Sequence, residues 1–128
     1  MGITVTWEKV NAILRVDFDD TWDENEYFAA VEEANTLVQA AGQQVDVILN
    51  AEHGLLIQPH LDIFKRGKKT LILMPENVGA IIIVSSSTFA RALLTTVFKV
   101  YRNMYRDNDI RAFDSLQEAR AYLAERAS

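Results

Sequence analysis

The chain has 128 residues, a formal net charge of −5 and no cysteine. It is the length of one domain, and it excludes disulfides, thiolate metal sites and a cysteine nucleophile. The acidic balance opposes non-specific nucleic-acid binding, and no apolar run approaches the ~20 residues of a bilayer-spanning helix.

Ile3, Val5 and Trp7 alternate along Ile3 to Lys9, the period of a half-buried strand. Ala12 to Phe18 alternates again, and the Val10-Asn11 turn between the runs predicts a hairpin. Thr21-Trp22-Asp23-Glu24 has the spacing of a capping box. The helix it opens carries Tyr27, Phe28, Val31, Ala34, Leu37 and Val38 at helical spacing and ends at Gly42. Val45 to Leu49 predicts a third strand, followed by a loop from Asn50 to Gln58. Pro59 suits the first turn of a second helix, with Leu61, Phe64 and Leu71 as its apolar positions. Gly67 weakens that helix by about 1 kcal/mol relative to alanine.

Val78 to Val84 is apolar on both faces, as in a strand covered from both sides. Ser85, Ser86, Ser87 and Thr88 offer caps for a helix from Thr88 to Tyr105. Its predicted apolar stripe is Phe89, Leu93, Thr96 or Val97, Val100, Tyr101 and Met104. Ile110 to Phe113 is a short strand, and Ser115-Leu116-Gln117-Glu118 is a second capping box before a last helix with Leu116, Ala119 and Leu123 facing inward. The order ββαβαβαβα predicts an α/β domain over residues 1–128. We expect a five-stranded mixed sheet, its first strand antiparallel at an edge, with four helices distributed over both faces.

This architecture resembles the STAS domain, the SpoIIAA-like fold of anti-sigma-factor antagonists, over nearly the whole chain. The closing Ile-Arg-Ala-Phe-Asp-Ser-Leu-Gln-Glu-Ala-Arg-Ala-Tyr-Leu, residues 110 to 123, looks like the family's last strand and capped helix. Phosphoregulated members carry an Asp-Ser-Ser/Thr-Gly-like run where the second helix begins. Here that place reads Gln58-Pro59-His60-Leu61, and no serine or threonine occurs from Asn50 to Lys69. The resemblance therefore implies the SpoIIAA-like branch without the phosphorylatable serine, some of whose members are grouped with Sec14-like lipid-binding folds. It implies a non-enzymatic module that binds a protein partner or self-associates as a dimer.

The region after the third strand is the expected contact surface: Asn50, Glu52, His53, Leu55, Leu56, Ile57, Pro59 and His60. Both histidines lie in it. Their spacing, even with Glu52 and Asp62 nearby, matches no zinc-site pattern, so neither metal nor cofactor is expected. Ser86, Ser87 and Thr88 are candidate polar or anion contacts, although helix capping accounts for them. Of the acidic cluster Asp17, Asp19, Asp20 and Asp23, Asp19 and Asp20 read as turn residues and Asp23 as a helix-dipole partner, and Lys65, Arg66, Lys68 and Lys69 read as a solvated helix face. No acid–base–nucleophile set is complete, so no enzyme is expected. The alternative function is binding of a small apolar ligand or lipid in a pocket at the carboxyl ends of the parallel strands. The N-terminus lacks a signal-peptide pattern, and the expected location is the cytoplasm, without a nucleic-acid partner or integral membrane segment.

Overall fold

The computed structural model describes residues 2–57, 62–105 and 108–127, with the side chains of 102–105 and 127 excepted. The two alternating runs form the hairpin β1 (Ile3–Lys9) and β2 (Ile13–Phe18). Then follow α1 (Glu24–Ala41), β3 (Val45–Ala51), α2 (Ile63–Leu73), β4 (Val78–Ser85), α3 (Thr88–Tyr105), β5 (Ile110–Phe113) and α4 (Leu116–Ala127). The sheet order is β1-β2-β3-β4-β5, with β1 antiparallel at the edge and the other pairs parallel. The mixed α/β sheet expected from the sequence is thus the one observed.

Strands β2 to β5 are laid down in one direction across the sheet. Right-handed crossovers then put their connecting helices on one side. That face buries Leu14, Val16 and Phe18 of β2 and Ile81 and Ile83 of β4 against Ala34, Leu71, Leu94 and Phe98. The last helix has no further strand to reach. It folds onto the opposite face, where Ile48, Ala80, Ile82 and Val84 meet Ala119 and Leu123. No helix among the described residues is long and apolar enough to cross a membrane.

Four local expectations are corrected. The cap of α1 is Asp23, whose carboxylate accepts from the Glu26 amide at 2.8 Å. Thr21 instead closes a turn by donating its amide to Asp19 at 2.8 Å. Strand β3 runs two residues further than predicted, to Ala51, because Asn50 and Ala51 pair in register with Val84 and Ser85. Helix α2 begins at Ile63, with the Asp62 carboxylate accepting from the amides of Phe64 and Lys65. Pro59, His60 and Leu61 lie outside the described residues. The buried line of α3 is Ala90, Leu94, Val97 and Phe98, while Phe89 and Val100 face solvent. Two apolar rows run side by side on α3, and its packing on the sheet and α2 selects between them. Met104's side chain lies outside the described residues.

Gly42 ends α1 in the left-handed conformation, at φ 69°, as the sequence leads one to expect. Gly67 has a different role. A Cβ there would sit 2.5 Å from Cγ1 of Val97, a fully buried residue of α3. The glycine lets the two helix backbones approach.

On the outer face of the hairpin, Glu8 receives Arg15 Nη1 at 2.6 Å and Arg120 Nε at 2.7 Å. These contacts tie α4 to the edge of the sheet. The hydrogen bond from Arg120 is the largest influence on Glu8, and with Arg15 it holds the carboxyl below the usual carboxylate range despite partial burial.

Two measurements follow. Gly67→Ala should lower the thermal midpoint even though alanine favours the helix by about 1 kcal/mol, because overpacking against Val97 costs about 1–3 kcal/mol. Adding Val97→Ala should recover part of that overpacking loss, as a double-mutant cycle would show. Glu8, with its folded pKa lowered, contributes stability that is complete above the unfolded carboxylate pKa and lost as pH falls through the folded value. Thermal melts of Glu8→Gln should lie below wild type at neutral pH and converge with it in strong acid.

Candidate functional site

The segment after β3 is held down by its backbone. The Leu55 amide donates to the Asp19 carbonyl at 3.1 Å, and the Trp22 indole Nε1 donates to the Leu55 carbonyl at 2.7 Å. Gly54 crosses so close to β2 that a Cβ would lie 2.0 Å from the Phe18 carbonyl oxygen. The three consecutive apolar residues divide accordingly: Leu55 is exposed, Leu56 is buried and Ile57 is half-buried.

The polar candidates have structural partners. Asn50 lies within β3 and its side-chain amide donates to Asp17 at 2.7 Å, while its Oδ1 accepts from the Glu52 backbone amide at 3.2 Å. Glu52 reaches across the sheet end to accept from the Leu116 amide at 2.9 Å, at the first turn of α4. A carboxylate there satisfies an otherwise open donor and suits the helix dipole. His53 is exposed, with Nε2 3.3 Å from Glu52. Pro59 and His60 lie outside the described residues. At the neighbouring strand end, Ser87 caps α3 by accepting from the Ala90 amide at 3.1 Å. Thr88 accepts from Arg91 at 3.2 Å, and Ser86 is exposed. Among the described residues no group of three or more His, Asp or Glu side chains could hold a metal ion.

Arg66, which the sequence groups with a solvated basic face, is instead buried, at 5% exposure. The helical turn explains the difference. Arg66 shares its side of α2 with Ile63 and Thr70, at offsets of three and four residues. Lys65, Lys68 and Lys69 point elsewhere and are exposed. The guanidinium carbon lies 4.9 Å from the ring centroids of both Trp22 and Tyr27. Nη2 donates to the Leu56 carbonyl at 2.7 Å, whereas Nη1 is buried without a hydrogen-bond partner among the described residues. Glu24 acts on Arg66 only through longer-range attraction. Burial pulls the guanidinium pKa down, yet an arginine retains its charge throughout the physiological range.

Beside this box the helix-bearing face of the sheet is incompletely covered. Val47 and Leu49 lie mid-strand in β3, between two paired neighbours, and are still only half-buried. They line an apolar cavity of about 60 Å³ with Val16, Phe18, Ala30, Ala34, Met74 and Phe98. A smaller space of about 10 Å³ adjoins Arg66, Leu56 and Ile63. The two share Phe18, Tyr27, Leu49 and Phe98 as walls. The Arg66 end lies at the carboxyl ends of the strands, and the main cavity extends beneath α1 as far as Val78, where β4 begins.

The seam between α1 and α2 is bridged by side chains. Thr70 donates its hydroxyl hydrogen to the Arg66 carbonyl at 2.8 Å. The 2.7 Å bond between Tyr27 and Thr70 must therefore take its hydrogen from Tyr27, since a threonine hydroxyl has only one. Burial pushes the Tyr27 phenol's pKa up, which keeps it a donor. Asn35 donates to the Leu73 carbonyl at 3.0 Å, and Lys69 Nζ sits 5.0 Å from the Phe28 ring centroid. Outside these contacts, a surface groove of about 480 Å³ runs along Phe28, Val31, Asn35 and Leu73. Val31 and Asn35 also border the inner cavity.

Replacing Glu52 with alanine should loosen the start of α4 and cost about 0.5–2 kcal/mol, the range for a lost helix-capping acceptor. Denaturant melts measure the loss, and amide exchange at Leu116 localises it. Comparison with known protein families, with curated proteins and with solved structures finds no match for this chain.

Proposed function

We propose that this is a non-enzymatic binding module whose ligand is a small, largely apolar molecule held between α1, α2 and the sheet. The observation that carries this reading is the half-exposed middle of β3 over an apolar cavity. Central strands of a helix-covered sheet are ordinarily closed over, and ligand sites are concave, mostly apolar and few. The polar groups at the end of β3 support a binding role over catalysis, because Asn50 and Glu52 are engaged in holding neighbouring strands and α4. The resemblance to SpoIIAA-like domains is part of this proposal and rests on element order.

A second reading, contact with a protein partner or a second copy, is favoured by a different observation. Leu55, Phe64 and Phe89, at 45%, 47% and 70% exposure, all lie in segments that follow the carboxyl ends of β3 and β4. This is the end of the sheet that the sequence nominates for contact.

Ala34 lines the cavity and is buried. Ala34→Leu should fill the space and stabilise the chain by roughly 1 kcal/mol, from the scaling of stability with cavity volume. In native mass spectrometry, freshly purified wild type should carry a small organic adduct that Ala34→Leu lacks. A bare wild-type dimer, with no adduct and no stabilisation from Ala34→Leu, would favour the second reading.

A further inference from the structure

We propose that Arg66 is the anion-recognition residue of this cavity and that its ligand is a short-chain carboxylate, its charged end at Nη1 and its tail along β3. The inference rests on the cavity being a ligand site and adds the chemistry of the ligand's head. A guanidinium removed from water loses strong hydration. Ring faces and one carbonyl bond offset only part of that loss, and an unpartnered donor bears its own desolvation penalty. Here Nη1 is that donor. Its residue is one wall of the small space that adjoins the apolar cavity. A buried cation beside an apolar cavity is complementary to a molecule with one anionic end and one apolar end.

Size narrows the class. The space beside Arg66 is about 10 Å³, room for about one water-sized group. A carboxylate therefore reaches Nη1 only as the surrounding side chains give way, and a bulkier tetrahedral phosphate requires a larger displacement. The inner cavity is about 60 Å³, below the ~150 Å³ that accepts benzene in an apolar protein core. A chain of a few carbons therefore enters, and any longer remainder follows Val31 and Asn35 into the outer groove. The Tyr27–Thr70 and Asn35–Leu73 bonds span the seam that such a chain would pass.

The test titrates purified full-length protein with hexanoate, 1-hexanol and monohexyl phosphate. The readout is the NMR signal of the Trp22 indole N–H, one of two indoles in the chain. A charge-assisted hydrogen bond should make hexanoate bind about tenfold or more tighter than hexanol. Hexyl phosphate should be weaker than hexanoate. Arg66→Met, which keeps the apolar stem volume, should lose the preference for hexanoate over hexanol. Equal wild-type affinity for hexanoate and hexanol would overturn the role of Arg66 while leaving the cavity as an apolar site. Tighter hexyl phosphate would overturn the assignment to a carboxylate. Failure of all three to bind would overturn the ligand-binding reading and this inference together. The wild-type comparison decides the matter even if Arg66→Met does not fold.

Discussion

The guanidinium of Arg66 joins three segments that are distant in sequence. It rests against Trp22, ahead of α1, and Tyr27 within α1, belongs to α2, and donates to Leu56 in the segment after β3. Trp22 closes the circuit through its bond to Leu55. Both halves of the loop anchor are donated to backbone carbonyls, so they fix the path of the chain whatever side chains the loop carries. Phe18 extends the cluster onto the sheet, with its ring centroid 5.5 Å from that of Trp22 and 6.2 Å from that of Tyr27. Charge, ring faces and loop backbone thus form one buried unit at the carboxyl end of the strands.

Topology explains why space remains next to that unit. A sheet whose strands are added in one direction gathers its right-handed crossover helices on a single face. Gly67 draws α2 tightly onto α3. On its other side α2 meets α1 through polar and cation–ring bridges, namely Tyr27–Thr70, Asn35–Leu73 and Lys69–Phe28. The middle of β3 lies under this looser seam and keeps Val47 and Leu49 partly accessible. The opposite face shows the contrast: Ile48 of the same strand is fully buried in the cluster formed with α4.

The polar residues at the end of β3 serve the fold first. Asn50 links β3 to β2 through Asp17, and Glu52 satisfies the first turn of α4. At the end of β4, Ser87 caps α3 in the same way, and Ser85 accepts from the Ser87 amide. Chemistry-bearing side chains in a loop are therefore poor guides to function when helix starts nearby need acceptors. The buried cation lies inside the helix that follows, and its neighbours in sequence conceal it.

Local sequence determines much of this protein. Period-two alternation defines β1 and β2, an unbroken apolar run defines β4, and Gly42 and Ser115 mark helix ends. Each is a short-range preference written in neighbouring residues. Element order with right-handed crossovers then specifies the mixed sheet and its antiparallel edge. Tertiary packing decides which of two apolar rows on α3 is buried, and it extends β3 by pairing with β4. It also decides that Asp23, rather than Thr21, caps α1. Above all it separates Arg66 from Lys65, Lys68 and Lys69. All four are basic and nearly adjacent in sequence, but helical geometry turns only one toward Trp22 and Tyr27, whose positions depend on contacts more than thirty residues away along the chain.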